Sequence, residues 1–422
     1  MRSTVTTTSS SPLIPAAAGR SGDDPIFALN AEATARAKRG ESVLNATLGA
    51  LMEDDGTLAV MPSAIEALAR VGGKRSAGYA PILGDASFLS AVIQDLFADG
   101  ALAEQAVAAA TPGGTGALHH AVVNFLEPGQ SLLTTSYFWG PYQTIATHTG
   151  RALTTFKTFE GKEGDSLHFH VDAFQEALER QMAAQGRALV LLNFPCHNPT
   201  GYSLDDAEWS SVADVVREAG EKGPVAFLVD HAYARFGTEA TLGWLRHAER
   251  ILDTATLLVA WTASKSFAQY GARVGALVAL HPGKPQRESI RAALGFSCRG
   301  TWSNCNHLGQ IAITSLLVEP ELRARALRER AALVGLLRER VDAFKREAAA
   351  VKLSYPRYEG GFFVSVFTPD AEITAKSMRE EGVYVVPLKG AVRVALCSTP
   401  VRDVPRLVRA LANGVARAET GR

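Results

Sequence analysis

From about residue 59 onward, short apolar runs alternate with longer stretches whose apolar positions recur at helical spacing. The runs at 131–135 (SLLTT), 152–156 (ALTTF), 188–194 (ALVLLNF), 225–230 (VAFLVD), 256–261 (TLLVAW) and 275–280 (GALVAL) predict strands. Most of them are continuously apolar rather than alternating, as strands buried on both faces are. Helical patterns such as 205–223 (DDAEWSSVADVVREAGEKG) lie between several of them. Strand–helix alternation of this kind predicts an α/β fold, a mostly parallel sheet covered by helices on both faces. After a long Arg/Glu-rich stretch at 322–346, whose signs interleave as on the solvated face of a helix, the pattern changes. A strand at 361–366, a helix at 370–382, two short strands (383–387, 392–396) and a last helix form a smaller α+β unit. A helix at 26–40 and a short strand at 43–50 precede the main alternation, and that early strand is expected to join the C-terminal unit. The division is therefore a tail over 1–23, an arm and part of the small domain over 24–58, a large domain over 59–325, and the small domain over 326–422.

The first 22 residues are rich in Ser, Thr, Ala and Pro, a composition a transit peptide shares. Without an amphipathic pattern they read as an unstructured tail. The formal net charge of +0 gives no field for nucleic acid or an anionic membrane. No apolar run approaches the ~20 residues of a membrane span. Cys196, Cys298, Cys305 and Cys397 form no CxxC pair and no metal-ligand spacing, which points to a reducing cytoplasm and to no metal.

Chemistry concentrates at the predicted strand ends, where ligands of α/β sheets sit. Lys265, in Ser264-Lys265-Ser266-Phe267, stands where TLLVAW opens into a Ser/Thr-lined turn. A desolvated amine there loses its proton cheaply and forms a Schiff base with an aldehyde. Thr262, Ser264 and the planar fork of Arg273 are groups suited to a phosphate. An aldehyde held by lysine beside a phosphate describes pyridoxal 5'-phosphate; a surface lysine at a strand end is the bland alternative. Gly113, Gly114 and Thr115, in TPGGTGAL before a helical pattern, offer backbone N–H groups and a helix N-terminus to the same phosphate. A plain strand-to-helix turn would look alike.

Asn198, in CHNPTG, is pushed toward extended backbone by Pro199, and its amide can reach a phenolate oxygen. Asp230 closes VAFLVD and can pair with a protonated ring nitrogen, with Tyr233 three residues on as a further phenolate partner; a helix N-cap is the ordinary role of such an aspartate. Trp139, or Phe138 in reserve, can stack on a flat ring. His197 and His231 read as neighbours that hold loops rather than as bases.

Together, in order, TPGGTGAL, CHNPTG, Asp230-x-Ala232-Tyr233 and Ser264-Lys265-x-Phe267…Arg273-Val274-Gly275 resemble the class I aminotransferases of PLP fold type I, near the aspartate and aromatic amino-acid branch. The resemblance runs from Asp24-Pro25-Ile26 to about Thr399-Pro400. It implies a PLP-dependent aminotransferase that moves an amino group between an L-amino acid and a 2-oxo acid in two half-reactions. It implies Lys265 as the Schiff-base and proton-shuttle lysine, Asp230 at the ring nitrogen, and Asn198 and Tyr233 at the phenolate. It places Thr262, Ser264, Arg273, Gly114 and Thr115 at the phosphate, joined by Tyr79 from a second subunit of a homodimer. Arg393 would clamp the α-carboxylate, with Gly49 near the substrate entrance. Arg299, ahead of Thr301-Trp302-Ser303-Asn304, would meet a side-chain carboxylate, with Phe363 and Trp139 accommodating aromatic donors. The flanking SCRGTWSN departs from the usual pattern of this branch. A C–S or β-lyase on the same fold, and a non-catalytic PLP-binding regulator, are the other readings.

Overall fold

The structure, a computed structural model, describes residues 12–20, 25–161 and 167–421. Its centre is a seven-stranded sheet. In chain order the strands are β1 (Ala106–Pro112), β2 (Ser131–Thr135), β3 (Ala152–Phe156), β4 (Ala188–Leu192), β5 (Val225–Asp230), β6 (Thr256–Thr262) and β7 (Val274–Leu280). They lie in the order β1-β7-β6-β5-β4-β2-β3, with only β7 antiparallel to its neighbours. All six expected strands are present, and the mostly parallel, helix-covered sheet is observed.

β1 has no counterpart among the expected strands. Four of its seven residues, AVAAATP, are alanine, a residue with little strand preference. Antiparallel pairing with the apolar β7, in register from Val274↔Pro112 to Leu280↔Ala106, holds it extended. Alternate residues face opposite cores: Val190, Leu192, Phe227 and Val229 pack on one side of the sheet, and Leu189, Leu191, Ala226 and Leu228 on the other.

Of the helices, α1 spans Pro25–Lys38, α2 Gly113–Phe125, α3 Ala263–Ser266, α4 Pro320–Ala350 and α5 Val404–Thr420. Three further strands, β8 (Phe363–Phe367), β9 (Val386–Leu388) and β10 (Ala391–Ala395), form an antiparallel sheet in the order β8-β10-β9. The early strand shortens to Leu44–Asn45 and pairs in parallel with Val383–Tyr384, so the two ends of the chain meet.

One feature of the tail was not expected, and one expectation needs correction. Within the 1–23 tail, Pro15–Ala18 forms one helical turn, since proline suits the first helical position and the three alanines that follow favour helix; residues 1–11 and 21–24 lie outside the described residues. On α4, Arg340 is fully buried rather than solvated. It donates to the Cys397 and Met52 carbonyls and pairs with Asp54, each at 2.7 Å, tying α4 to both ends of the chain.

Candidate active site

The carboxyl ends of β4, β5 and β6 open into one cavity of about 380 Å3. A turn after each strand delivers its polar residues there. β6 ends at Thr262, whose hydroxyl accepts from the Ser264 N–H (3.2 Å) and starts α3; one turn on, α3 presents Lys265. The half-buried Lys265 amine donates to the Gly49 carbonyl at 2.5 Å and lies 4.6 Å from the Tyr270 ring centre. Burial above all, helped by the charges of Arg273 and Arg393, lowers its pKa to about 8.

Asp230 is buried at the end of β5. Desolvation raises its pKa, opposed by the Tyr142 hydroxyl, donating at 2.6 Å, the Ala232 N–H at 3.2 Å and the charge of Lys265. Asn193, just past β4, donates to the Asp230 carbonyl at 2.9 Å and accepts from the Asn198 N–H at 2.7 Å, so the two strand ends are fastened together. The Asn198 amide and Tyr233 hydroxyl stand 3.4 Å apart. Arg393, buried on β10, donates to the Thr47 carbonyl at 2.9 Å and reaches Asn198 Oδ1 at 3.5 Å, its guanidinium 4.4 Å from the Phe363 ring centre.

Gly113 opens α2, which begins earlier than the apolar pattern suggests. Its φ of +71° is left-handed, and a Cβ there would lie 2.7 Å from Arg273 Nη2. Only glycine lets the guanidinium come so close to the start of α2. Arg273, itself at a φ of +52°, donates to Ser264 Oγ at 3.3 Å and to the Tyr270 carbonyl at 3.1 Å. The start of α2, the two hydroxyls and this fork form a concave anion site. With Lys265, Arg273 and Arg393 set against Asp230 alone among the described residues, the cavity favours a ligand of net negative charge.

Lys265, Asp230, Tyr233, Asn198, Thr262, Ser264, Arg273, Gly114, Thr115, Trp139, Gly49, Phe363 and Arg393 all line this cavity, with Gly113 beside it. Phe138 does not. His197 is buried against Thr200 Oγ1 (2.7 Å) with its pKa pushed down to about 3 by burial, and His231 packs on Trp244; neither lines the cavity. Tyr79 and Arg299 lie elsewhere, sharing a separate surface cleft with Trp302 and Asn304. Tyr79 is 92% exposed, and Arg299 donates to Ser303 Oγ at 2.6 Å.

Sequence reasoning passed over Tyr142, Tyr270 and Asn193. Tyr142 lies three residues past Trp139, and its hydroxyl partner Asp230 is 88 residues further along the chain. Tyr270 sits in the loop between Lys265 and Arg273, where its hydroxyl accepts from the Leu51 N–H at 2.9 Å. Asn193 directly precedes the loop that carries Asn198. The only signal available for each was adjacency to a chosen residue.

Comparison with known proteins decides the family. The model of the family "Aminotransferase class I and II" matches residues 42–411. The chain belongs to this family. It is 27% identical over 344 residues to an aromatic-amino-acid aminotransferase of Paracoccus denitrificans, covering 79% of this chain and 82% of that one. It is 28% identical over 378 residues to an aspartate aminotransferase of Pseudomonas aeruginosa, covering 86% and 90%. A solved aminotransferase from Anaerococcus prevotii superimposes with a TM-score of 0.88 at 31% identity, covering 96% of this chain and all of that one. At 23% identity, an aromatic-amino-acid aminotransferase from Burkholderia pseudomallei, solved covalently bound to pyridoxal phosphate, shares the fold with a TM-score of 0.77 over 94% of this chain and 98% of that one. The chain is therefore a transaminase of class I, and the residues of the Lys265 cavity fit pyridoxal 5'-phosphate: an amine for the aldehyde, a carboxylate for the ring nitrogen, and a glycine-opened cradle for the phosphate.

Proposed function

We propose that this aminotransferase takes amino groups from aspartate or glutamate, and also from aromatic amino acids, at sites shared between two copies of the chain. When bound, pyridoxal phosphate supplies an aldehyde that condenses with amines and a cationic ring that draws electrons from the substrate. The chain's own residues do the rest. The Lys265 amine, largely neutral above its pKa of about 8, takes the proton from the substrate α-carbon and holds it at Nζ for return. Asp230, fixed by Tyr142 and the Ala232 N–H, keeps a negative charge facing the ring nitrogen. Asn198 and Tyr233 offer hydrogen bonds to the phenolate, and Gly113, Gly114, Thr115, Thr262, Ser264 and Arg273 hold the phosphate. Trp139, on the wall of the same cavity, would offer its face to the ring. Arg393 offers a planar fork to the α-carboxylate, beside Gly49 and Phe363.

The observation that carries this reading is the gathering of Lys265, Asp230, Arg273 and Arg393 around one cavity. The shared-site part rests on Tyr79 and Arg299. Both stand on one exposed face, away from their own Lys265, where a second copy would bring them to its neighbour's cavity. Arg299 then meets the side-chain carboxylate of an acidic donor and swings aside for an aromatic one, since facing a ring inside the site would strand its charge. Activity inside the cytoplasm agrees with the four free cysteines, and among the described residues no helix is long and apolar enough to cross a membrane.

Mixed dimers test the proposal. Chains carrying Lys265→Ala and chains carrying Arg299→Ala are each expected to turn over aspartate poorly. Co-refolded, they should regain a fraction of wild-type aspartate turnover, because one of the two sites in each mixed dimer has an intact Lys265 and a partner with an intact Arg299. No recovery in verified mixed dimers would rule out sharing through Arg299.

A further inference from the structure

A second cavity, of about 450 Å3, lies where the first turns of α4 pack near the segments carrying Phe97, Arg235 and Phe267. Its walls mix apolar and polar surface: Phe97, Leu102, Phe267 and Leu317 line it together with Arg235, Arg323 and Arg330. Among the described residues Asp95 is the one carboxylate there, and it is committed. It pairs with Arg235 at 2.9 Å and accepts from Trp261 Nε1 at 3.0 Å. Among the described residues neither Arg323 nor Arg330 has a carboxylate within ion-pair distance. Arg330, half-buried, has for company the face of Phe267, whose centre is 5.9 Å from its guanidinium carbon.

A cation partly withdrawn from water against an aromatic face has that face's attraction to set against its lost hydration, but no carboxylate of its own. Burial, and then the neighbouring charge of Arg235, work against the charged form of Arg330, while the charge of Asp95 partly offsets them. An anion in the cavity would remove that cost, and the Phe97, Phe267 and Leu317 part of the wall would favour an apolar body attached to it. The volume suits a small molecule. We propose that this cavity binds a small organic carboxylate with a compact apolar body, its carboxylate on Arg330 and Arg323 and its body against Phe267, Phe97 and Leu317. The site is separate from the Lys265 cavity but touches its supports: Phe267 is two residues beyond Lys265, and Arg235 two beyond Tyr233.

The probe is 4-phenylbutyrate, titrated calorimetrically into the holoenzyme. The expected result is a binding event whose Kd rises about tenfold or more in Arg330→Gln, the scale of one lost charge-assisted hydrogen bond. The exposed Arg323→Gln should weaken the same event several-fold, which keeps the test decisive if Arg330→Gln does not fold. Arg393→Ala, which alters the other cavity, should leave this event in place. The proposal is overturned if no event is seen, if neither arginine substitution weakens it, or if Arg393→Ala alone abolishes it.

Discussion

Lys265→Ala should lose transaminase turnover by about 10^4-fold, the upper end of what a positioned acid–base group contributes, while still binding pyridoxal phosphate. Binding persists because the phosphate cradle, Asp230 and the surface of Trp139 are left intact. The charge balance of the cavity changes as well. In the cofactor-free wild type, burial lowers the amine's pKa from 10.5 to about 8. Below about pH 8 the folded protein must then hold a charged, desolvated amine, which disfavours folding. Between about 8 and 10.5 the folded state sheds a proton that the unfolded chain keeps, so this group's contribution grows more favourable as pH rises. Cofactor-free Lys265→Ala should accordingly gain on wild type most below pH 8, with the difference narrowing toward pH 10.5 in denaturant titrations. Near-wild-type turnover in this variant would remove Lys265 from the reaction.

Arg393→Ala should lower kcat/KM about a hundredfold for acidic and aromatic donors alike, because it deletes charged hydrogen bonds to a group that every donor carries. Cofactor affinity should change little, as Arg393 reaches Asn198 only at 3.5 Å. Arg393→Lys should recover part of the loss, since an ammonium keeps the charge but not the planar fork. Steady-state kinetics on aspartate and an aromatic donor check this. A loss confined to acidic donors would assign Arg393 to the side-chain carboxylate instead.

Lys265, Asp230 and Asn198 were legible because each follows a strand that is almost continuously apolar, so a polar residue at its end stands out. β1 was hidden because alanine gives no strand signal, and only its pairing with β7 makes it extended. Tyr142 and Tyr270 were hidden because their partners, Asp230 and Leu51, lie far off in sequence or across a loop, and an aromatic near a motif is more often packing than chemistry. Arg340 was misplaced for a related reason. Interleaved charges mark a solvated helix face on average, but a guanidinium that can reach two carbonyls and a carboxylate can be enclosed. Tyr79 and Arg299 pose a different problem: motif order places them in a site, while the fold places them outside their own chain's cavity.

The most direct test of the central claim is to add single amino acids to the holoenzyme without any oxo acid and follow the cofactor's visible absorbance. The account predicts that aspartate and glutamate each bleach the visible band to the pyridoxamine form, releasing one 2-oxo acid per site, and that added 2-oxo acid restores it. Bleaching by no amino acid, or steady release of pyruvate and ammonia from cysteine conjugates with no acceptor needed, would contradict it.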